Sequence, residues 1–137
     1  MTPKEIITKM LSKDTFSLEL GMKVQDYTPD ACVVSLIVKE NMVNGFQIAH
    51  GGITYALADS CLAFSANASG KQFVSIETSI SHLKKVALGD TLTAKAALIK
   101  GGKQIKVYEV RIYNQDDLLV AHFKGTGSAT GGSWTKD

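Results

Sequence analysis

At 137 residues and a net charge of +2, the chain is long enough for one domain with a real core, and it offers no bulk electrostatic case for binding nucleic acid or a membrane surface. Fourteen of its fifteen basic residues are lysine, Arg111 being the exception, so the bidentate forks that read base edges are missing. An apolar share of 45% is ordinary for a globular protein.

Thr2-Pro3-Lys4-Glu5 reads as a helix start, with Thr as cap and Pro in the first turn. Ile6, Ile7, Met10 and Leu11 give it a short apolar stripe ending near Asp14, and this N-terminal helix (1–15) is expected on the outside of the fold. Residues 16–27 predict a strand, with Leu18, Leu20, Met22 and Val24 alternating against Ser17, Glu19, Gly21 and Lys23. Thr28-Pro29-Asp30 is a turn, and 31–39 a second strand, rich in β-branched residues, expected to be buried on both faces and to pair with the first as a hairpin. Residues 40–49 read as loop. A helix, apolar almost all round, then runs to about Asn67, closed by Gly70 as a left-handed cap.

Strands are predicted at 74–83, 91–100, 103–113 and 118–130, with turns at Leu88-Gly89-Asp90, Gly101-Gly102 and Asn114-Gln115-Asp116-Asp117. Residues 131–137 read as a polar tail whose one core-type residue is Trp134. With no repeat and no linker, 1–137 is a single domain. Four consecutive hairpin-linked strands and one apolar helix imply an α+β fold, an antiparallel sheet curled around the helix, and the sheet's edges invite a second copy.

Cys32 and Cys61 sit in apolar runs and read as buried, unpaired thiols in a reducing compartment. Residues 1–5 lack the basic-then-apolar pattern of a signal peptide, and the least charged run, 41–58, contains Asn44, Gln47, His50 and three glycines, so it is no membrane span. The expected location is the cytoplasm.

The functional signal lies in the apolar helix and the residues before it. His50-Gly51-Gly52 places glycines at a helix start, where N–H groups have no internal partner and a ligand can approach closely. Asp59 lies in the middle of the apolar run, and desolvating a carboxylate costs several kcal/mol in order of magnitude. One element thus offers an anion site and an isolated carboxylate.

These residues carry a resemblance. Asn44-x₅-His50-Gly51-Gly52-x₆-Asp59 is similar to the motif of hotdog-fold acyl-CoA thioesterases, and to the phenylacetate-degradation (PaaI-type) branch in particular. Leu57-Ala58-Asp59, Leu88-Gly89-Asp90-Thr91-Leu92, Gly102-Lys103, Val107-Tyr108 and Phe123-Lys124-Gly125-Thr126 also resemble that branch. The resemblance implies a strongly curved antiparallel sheet around one long helix, hydrolysis of an aryl- or medium-chain acyl-CoA to carboxylate and free CoA, and a homodimer that often pairs into a tetramer. It implies no cofactor, CoA being part of the substrate. Carried over, Asp59 would be the catalytic carboxylate, the Gly51 N–H would polarise the thioester carbonyl, His50 and Asn44 would orient the carbonyl or hold the loop, and Ser75 would help place the attacking water. Relatives often carry a proline after the basic residue in the strand following the helix; here the run is Leu83-Lys84-Lys85-Val86.

Elementary chemistry agrees. A thioester carbonyl must be stabilised as it gains charge, for which one backbone donor is worth about 3 kcal/mol. A carboxylate whose pKa is raised by burial is suited to base work near neutral pH. Gly51 and Asp59 are eight residues apart, about 12 Å along one helix, so one thioester carbon cannot meet both at about 3 Å. If both act they come from different subunits, which predicts an obligate dimer.

Blander roles stand beside these. Asp59 could be a structural acid, Gly51-Gly52 only a tight turn, His50 a satisfied core histidine and Asn44 a loop-shaping residue. Lys84 and Lys85 read as a solvated patch or as partners of the CoA phosphates. His82 and His122 are read as structural or surface residues, with no metal spacing among Cys, His and carboxylates. Phe64, Phe73 and Tyr55 are candidate pocket walls. Competing functions are a hotdog-fold hydratase or dehydratase of acyl thioesters, and a non-catalytic acyl-CoA binder or sensor that would need no Asp59.

Overall fold

The first helix starts as its first residues specify. Thr2 accepts a hydrogen bond from the Glu5 N–H (3.2 Å) and Glu5 accepts one from the Thr2 N–H (2.8 Å), a reciprocal capping box with Pro3 at the first helical position. The computed structural model describes residues 1–135. Helix α1 (Pro3–Leu11) buries Ile6 and Ile7 and packs on the long central helix.

The predicted strand over 16–27 does not form as a whole. Thr15–Glu19 is a short helix, α2, and only Lys23–Asp26 is strand, β1. The Asp14 side chain accepts from the Ser17 N–H (3.0 Å) and from its hydroxyl (2.6 Å), which starts a helical turn, and Gly21 at φ 73° ends it. Local capping overrides the alternation: Phe16 and Leu18 are exposed and Met22 is buried.

Strand β2 (Val33–Ile37) pairs antiparallel with β1, as expected of a hairpin. It is not buried on both faces. Val34 and Leu36 point into the core while Ile37 is exposed, because only one side of the sheet is covered by the helix. A 3₁₀ turn at Glu40–Met42 leads to α3 (Gly51–Asn67), β3 (Lys71–His82), β4 (Thr91–Lys100), β5 (Ile105–Tyr113) and β6 (Leu119–Ser133).

The six strands form one antiparallel sheet in the order β1-β2-β4-β5-β6-β3. Of the four later strands predicted to be linked by hairpins, only β4–β5 and β5–β6 are. β3 does not pair with β4; it runs along β6 from Lys71↔Ser133 to His82↔Ala121 and forms an edge, while β4 crosses over to β2. The connection 83–90 makes the crossover possible, bridging Ala87 to Ile48. Helix α3 contacts five of the six strands, which requires the sheet to curl around it. This is the α+β hotdog fold that the resemblance implies.

Leu57, Cys61, Leu62 and Phe64 of α3 fill the core against Val34, Leu92, Tyr108, Val110, Ile112 and Phe123. Each fully buried side chain of this size contributes about 1.5–3 kcal/mol. The closest approach is at Gly125, where an added Cβ would overlap Leu62 Cδ1. The helix is not buried all round within one chain: Gly52 is exposed and Ala56, Asp59 and Ala63 are half-buried, a stripe at helical spacing.

The C-terminal segment is more than a polar tail. Gly131–Ser133 complete β6, and Trp134 lies half-buried against α3. Lys136 and Asp137, the end of that expected tail, lie outside the described residues. Among the described residues no helix is long and apolar enough to cross a membrane. Both cysteines are buried free thiols.

Candidate active site

Helix α3 opens with His50 as its cap. The His50 Nδ1 accepts from the Gly52 N–H (2.8 Å), which leaves the proton of a neutral ring on Nε2. The His50 carbonyl accepts from the Ile53 N–H (2.9 Å), and the Gly51 N–H between them has no partner among the described residues. An unsatisfied first-turn donor of this kind is what a helix start offers to a partial negative charge.

Gly51 lines a cleft of about 420 Å³ together with Asn44, Thr54, His82, Lys84 and Lys85, among others. Asn44 shapes the loop beside it. Its Oδ1 accepts from the Phe46 N–H (2.9 Å) and the Ile48 N–H (3.4 Å), and its own N–H donates to the Ile48 carbonyl (2.8 Å), across a turn that holds Gln47 at φ 60°. The Asn44 Nδ2 remains unbonded among the described residues.

His82 is the cleft residue that sequence reasoning passed over. The Thr54 hydroxyl donates to the Gly51 carbonyl (2.9 Å), so its oxygen accepts from His82 Nδ1 (3.3 Å). A Cβ added to Gly51 would come within 3.1 Å of His82 Nε2. Its place beside Leu83-Lys84-Lys85 was the available hint; contact with Gly51 depends on the β3–β6 pairing, which no local pattern encodes. His122 lies elsewhere, paired with Glu109 (3.1 Å).

Asp59 lies in a different part of the molecule, between two adjoining clefts. One of about 360 Å³ includes Asp59, Asn67, Phe73, Val74, Ser75 and Trp134; the other, of about 310 Å³, includes Met10, Phe16, Asp59, Ser60, Phe64 and Trp134. Burial raises the Asp59 carboxyl above its ordinary value, and no hydrogen bond or ion pair reaches it among the described residues. The structure therefore brings Asp59 and Ser75 to one cleft, and Gly51, Asn44, Lys84 and Lys85 to another, with His50 exposed at the helix start between Asn44 and Gly51 in sequence. Of the expected walls, Phe64 and Phe73 face the Asp59 clefts. Tyr55 does not: its hydroxyl bonds Thr78 and its ring packs edge-on against Phe123, centroids 5.4 Å apart. No group of three or more His, Cys, Asp or Glu is placed to hold a metal among the described residues.

Known proteins share this fold. Residues 46–121 match the family model of the thioesterase superfamily. The acyl-coenzyme A thioesterase PaaI of Escherichia coli is 36% identical over 92% of this chain and 90% of its own length. The solved E. coli PaaI structure superposes with a TM-score of 0.93 at 34% identity, covering 96% of this chain and 95% of that one. A hypothetical thioesterase protein of Streptococcus pneumoniae, solved with coenzyme A, superposes with a TM-score of 0.77 at 28% identity, covering 80% of this chain and 89% of that one. That protein was also solved as an Asp→Ala and a Thr→Ala variant. Motif, fold and relatives agree, and the chain belongs to the thioesterase superfamily as a hotdog-fold thioester hydrolase.

Proposed function

We propose that this chain hydrolyses aryl- or medium-chain acyl-CoA thioesters to the carboxylate and free CoA, in sites shared between two copies. The observation that carries the reading is the division of labour along α3: an N–H at Gly51 and a partly desolvated carboxylate at Asp59, both unpartnered among the described residues and in separate clefts. About 12 Å of helix separates them, beyond the reach of one reacting carbon.

A second copy supplies the missing half. β3 is an edge strand of twelve residues whose Val74 and Ile76 are 56% and 61% exposed. Unpaired backbone groups and apolar side chains on one edge favour pairing with the same edge of another chain. His82, Leu83 and Ser75 lie on or next to that edge, so the pairing would bring the Gly51 cleft of one copy toward Asp59 of the other. Two such dimers pair into a tetramer in this reading.

In the reaction, the Gly51 N–H donates to the thioester oxygen as it becomes an oxyanion. Asp59 of the other copy takes a proton from water while the water oxygen bonds to the carbonyl carbon, or bonds to that carbon itself to form an anhydride that water then opens. In either route the C–S bond breaks and CoA leaves as the thiolate. Ser75 places the water, the Asn44 Nδ2 and His50 Nε2 orient the carbonyl, and Lys84 and Lys85 meet the CoA phosphates. No cofactor takes part. The free thiols Cys32 and Cys61 suit a cytoplasmic location.

Thiol release from a panel of aryl and straight-chain acyl-CoAs tests the proposal, with Asp59→Ala in parallel. Release that vanishes with Asp59 supports the hydrolase and its carboxylate. Binding without release by the wild type would leave the sensor or the dehydratase instead.

A further inference from the structure

Trp134 is held as tightly as a core residue although it follows the last strand. Its N–H donates to the Gly70 carbonyl (2.8 Å), and its indole Nε1–H donates to Asn67 Oδ1 (2.7 Å). Asn67 is 2% exposed and its amide is fully used: Oδ1 also accepts from the Phe73 N–H (2.9 Å), and Nδ2 donates to the carbonyls of Ala63 (2.8 Å) and Phe73 (3.1 Å). A side chain bonded at every position cannot swing, so the indole it anchors is fixed in turn. With its only polar atom spent on Asn67, the ring offers apolar surface alone.

The two clefts that meet at Asp59 share four residues: Met10, Asp59, Ala63 and Trp134. Met10 is flexible and fills whatever space it is given, and Ala63 is small; the pinned indole is the one shared wall that is both large and rigid. We infer that Trp134 sets the size limit for the acyl group beside Asp59. This rests on the thioesterase reading and deepens it: the carboxylate marks the reacting carbon, so the apolar space around it receives the acyl side.

Trp134 is the sequence's only tryptophan, which supplies a readout independent of turnover. In an Asp59→Asn background, straight-chain acyl-CoAs should shift indole emission increasingly with chain length, whereas free CoA should leave it unchanged. For specificity, kcat/KM is measured from butyryl- to lauroyl-CoA. Trp134→Ala should move the cut-off to longer chains and raise the long-to-short ratio at least about tenfold, since a methylene in an apolar pocket is worth about that much. Trp134→Phe keeps an apolar ring and should stay within about threefold of wild type, and Ala63→Leu should shift the cut-off to shorter chains. A folded, active Trp134→Ala with the wild-type cut-off overturns the inference. Should that variant not fold, an unmoved cut-off in Ala63→Leu or silent indole emission overturns it. Emission that responds without thiol release from the wild type would support the wall while sinking the hydrolase.

Discussion

If each site draws Gly51 from one copy and Asp59 from another, two inactive variants should rescue each other. Asp59→Asn removes the carboxylate and keeps its shape. Gly51→Pro removes the N–H and little else. Proline is favoured at the first helical position, His50 before it already has φ −59° and ψ 137°, and the nearest obstacle to a Cβ is the exposed His82 ring at 3.1 Å. Deleting one oxyanion donor should lower kcat about 10²–10³-fold, and losing the carboxylate at least as much. Unfolded together and refolded at equal concentration, the two chains should form mixed dimers in half of the population. In each, one site combines an intact Gly51 with an intact Asp59 and the other combines both defects. Activity should therefore recover to about a quarter of wild type per site, from two preparations that are each nearly inactive. The assay is thiol release before and after mixing, with the dimer fraction followed by sedimentation. If mixed dimers form and activity stays at the level of the separate variants, each site lies within one chain and the spacing argument fails.

Three further outcomes follow from the same structure. Burial raises the Asp59 carboxyl, so the folded protein holds that proton more tightly than the unfolded chain, and stability falls as pH rises from the ordinary carboxylate value through the raised one. Asp59→Asn should therefore melt higher than wild type at pH 7 and no higher at about pH 3; a lower melt at pH 7 would mean that the carboxylate has a stabilising partner. Lys84→Ala and Lys85→Ala should each raise KM for acyl-CoA roughly threefold to tenfold, with a strong salt dependence, and leave KM for an acyl-pantetheine unchanged; equal effects on both substrates would place the lysines away from the phosphates. Gly125→Ala should cost about 1–3 kcal/mol in a denaturant melt, because the new methyl overlaps Leu62 Cδ1 and presses on Phe123; a neutral result would mean that α3 can lift from β6 at no cost.

Features governed by neighbours in sequence were legible in it. The capping box at Thr2 and Glu5, the turn at Gly89, the strand Thr91–Lys100 and the start of α3 at His50-Gly51 all form where the local pattern places them. Failures occurred where two local codes compete or where pairing is long-range. Residues 14–22 carry both an alternating pattern and an Asp-x-x-Ser cap, and the cap prevails because Gly21 turns the chain before a strand could extend. The crossover between β3 and β4 and the docking of Trp134 on Asn67 join residues far apart in sequence, with nothing local to announce them.

Helix α3 shows what composition does and does not report. Its apolar sequence implies burial on every side, yet within one chain the stripe of Gly52, Ala56, Asp59 and Ala63 stays partly open. Small residues there leave room rather than fill it, and the one charged group on the stripe has no partner among the described residues. A stripe that is neither polar enough for water nor large enough to pack against its own sheet is suited to something arriving from outside. In the proposed reading that is the acyl chain and the second copy, so composition reports burial in the working assembly rather than in the single chain. The same logic explains why Gly51 and Asp59 could be singled out from sequence while their separation into two clefts required only the helical rise.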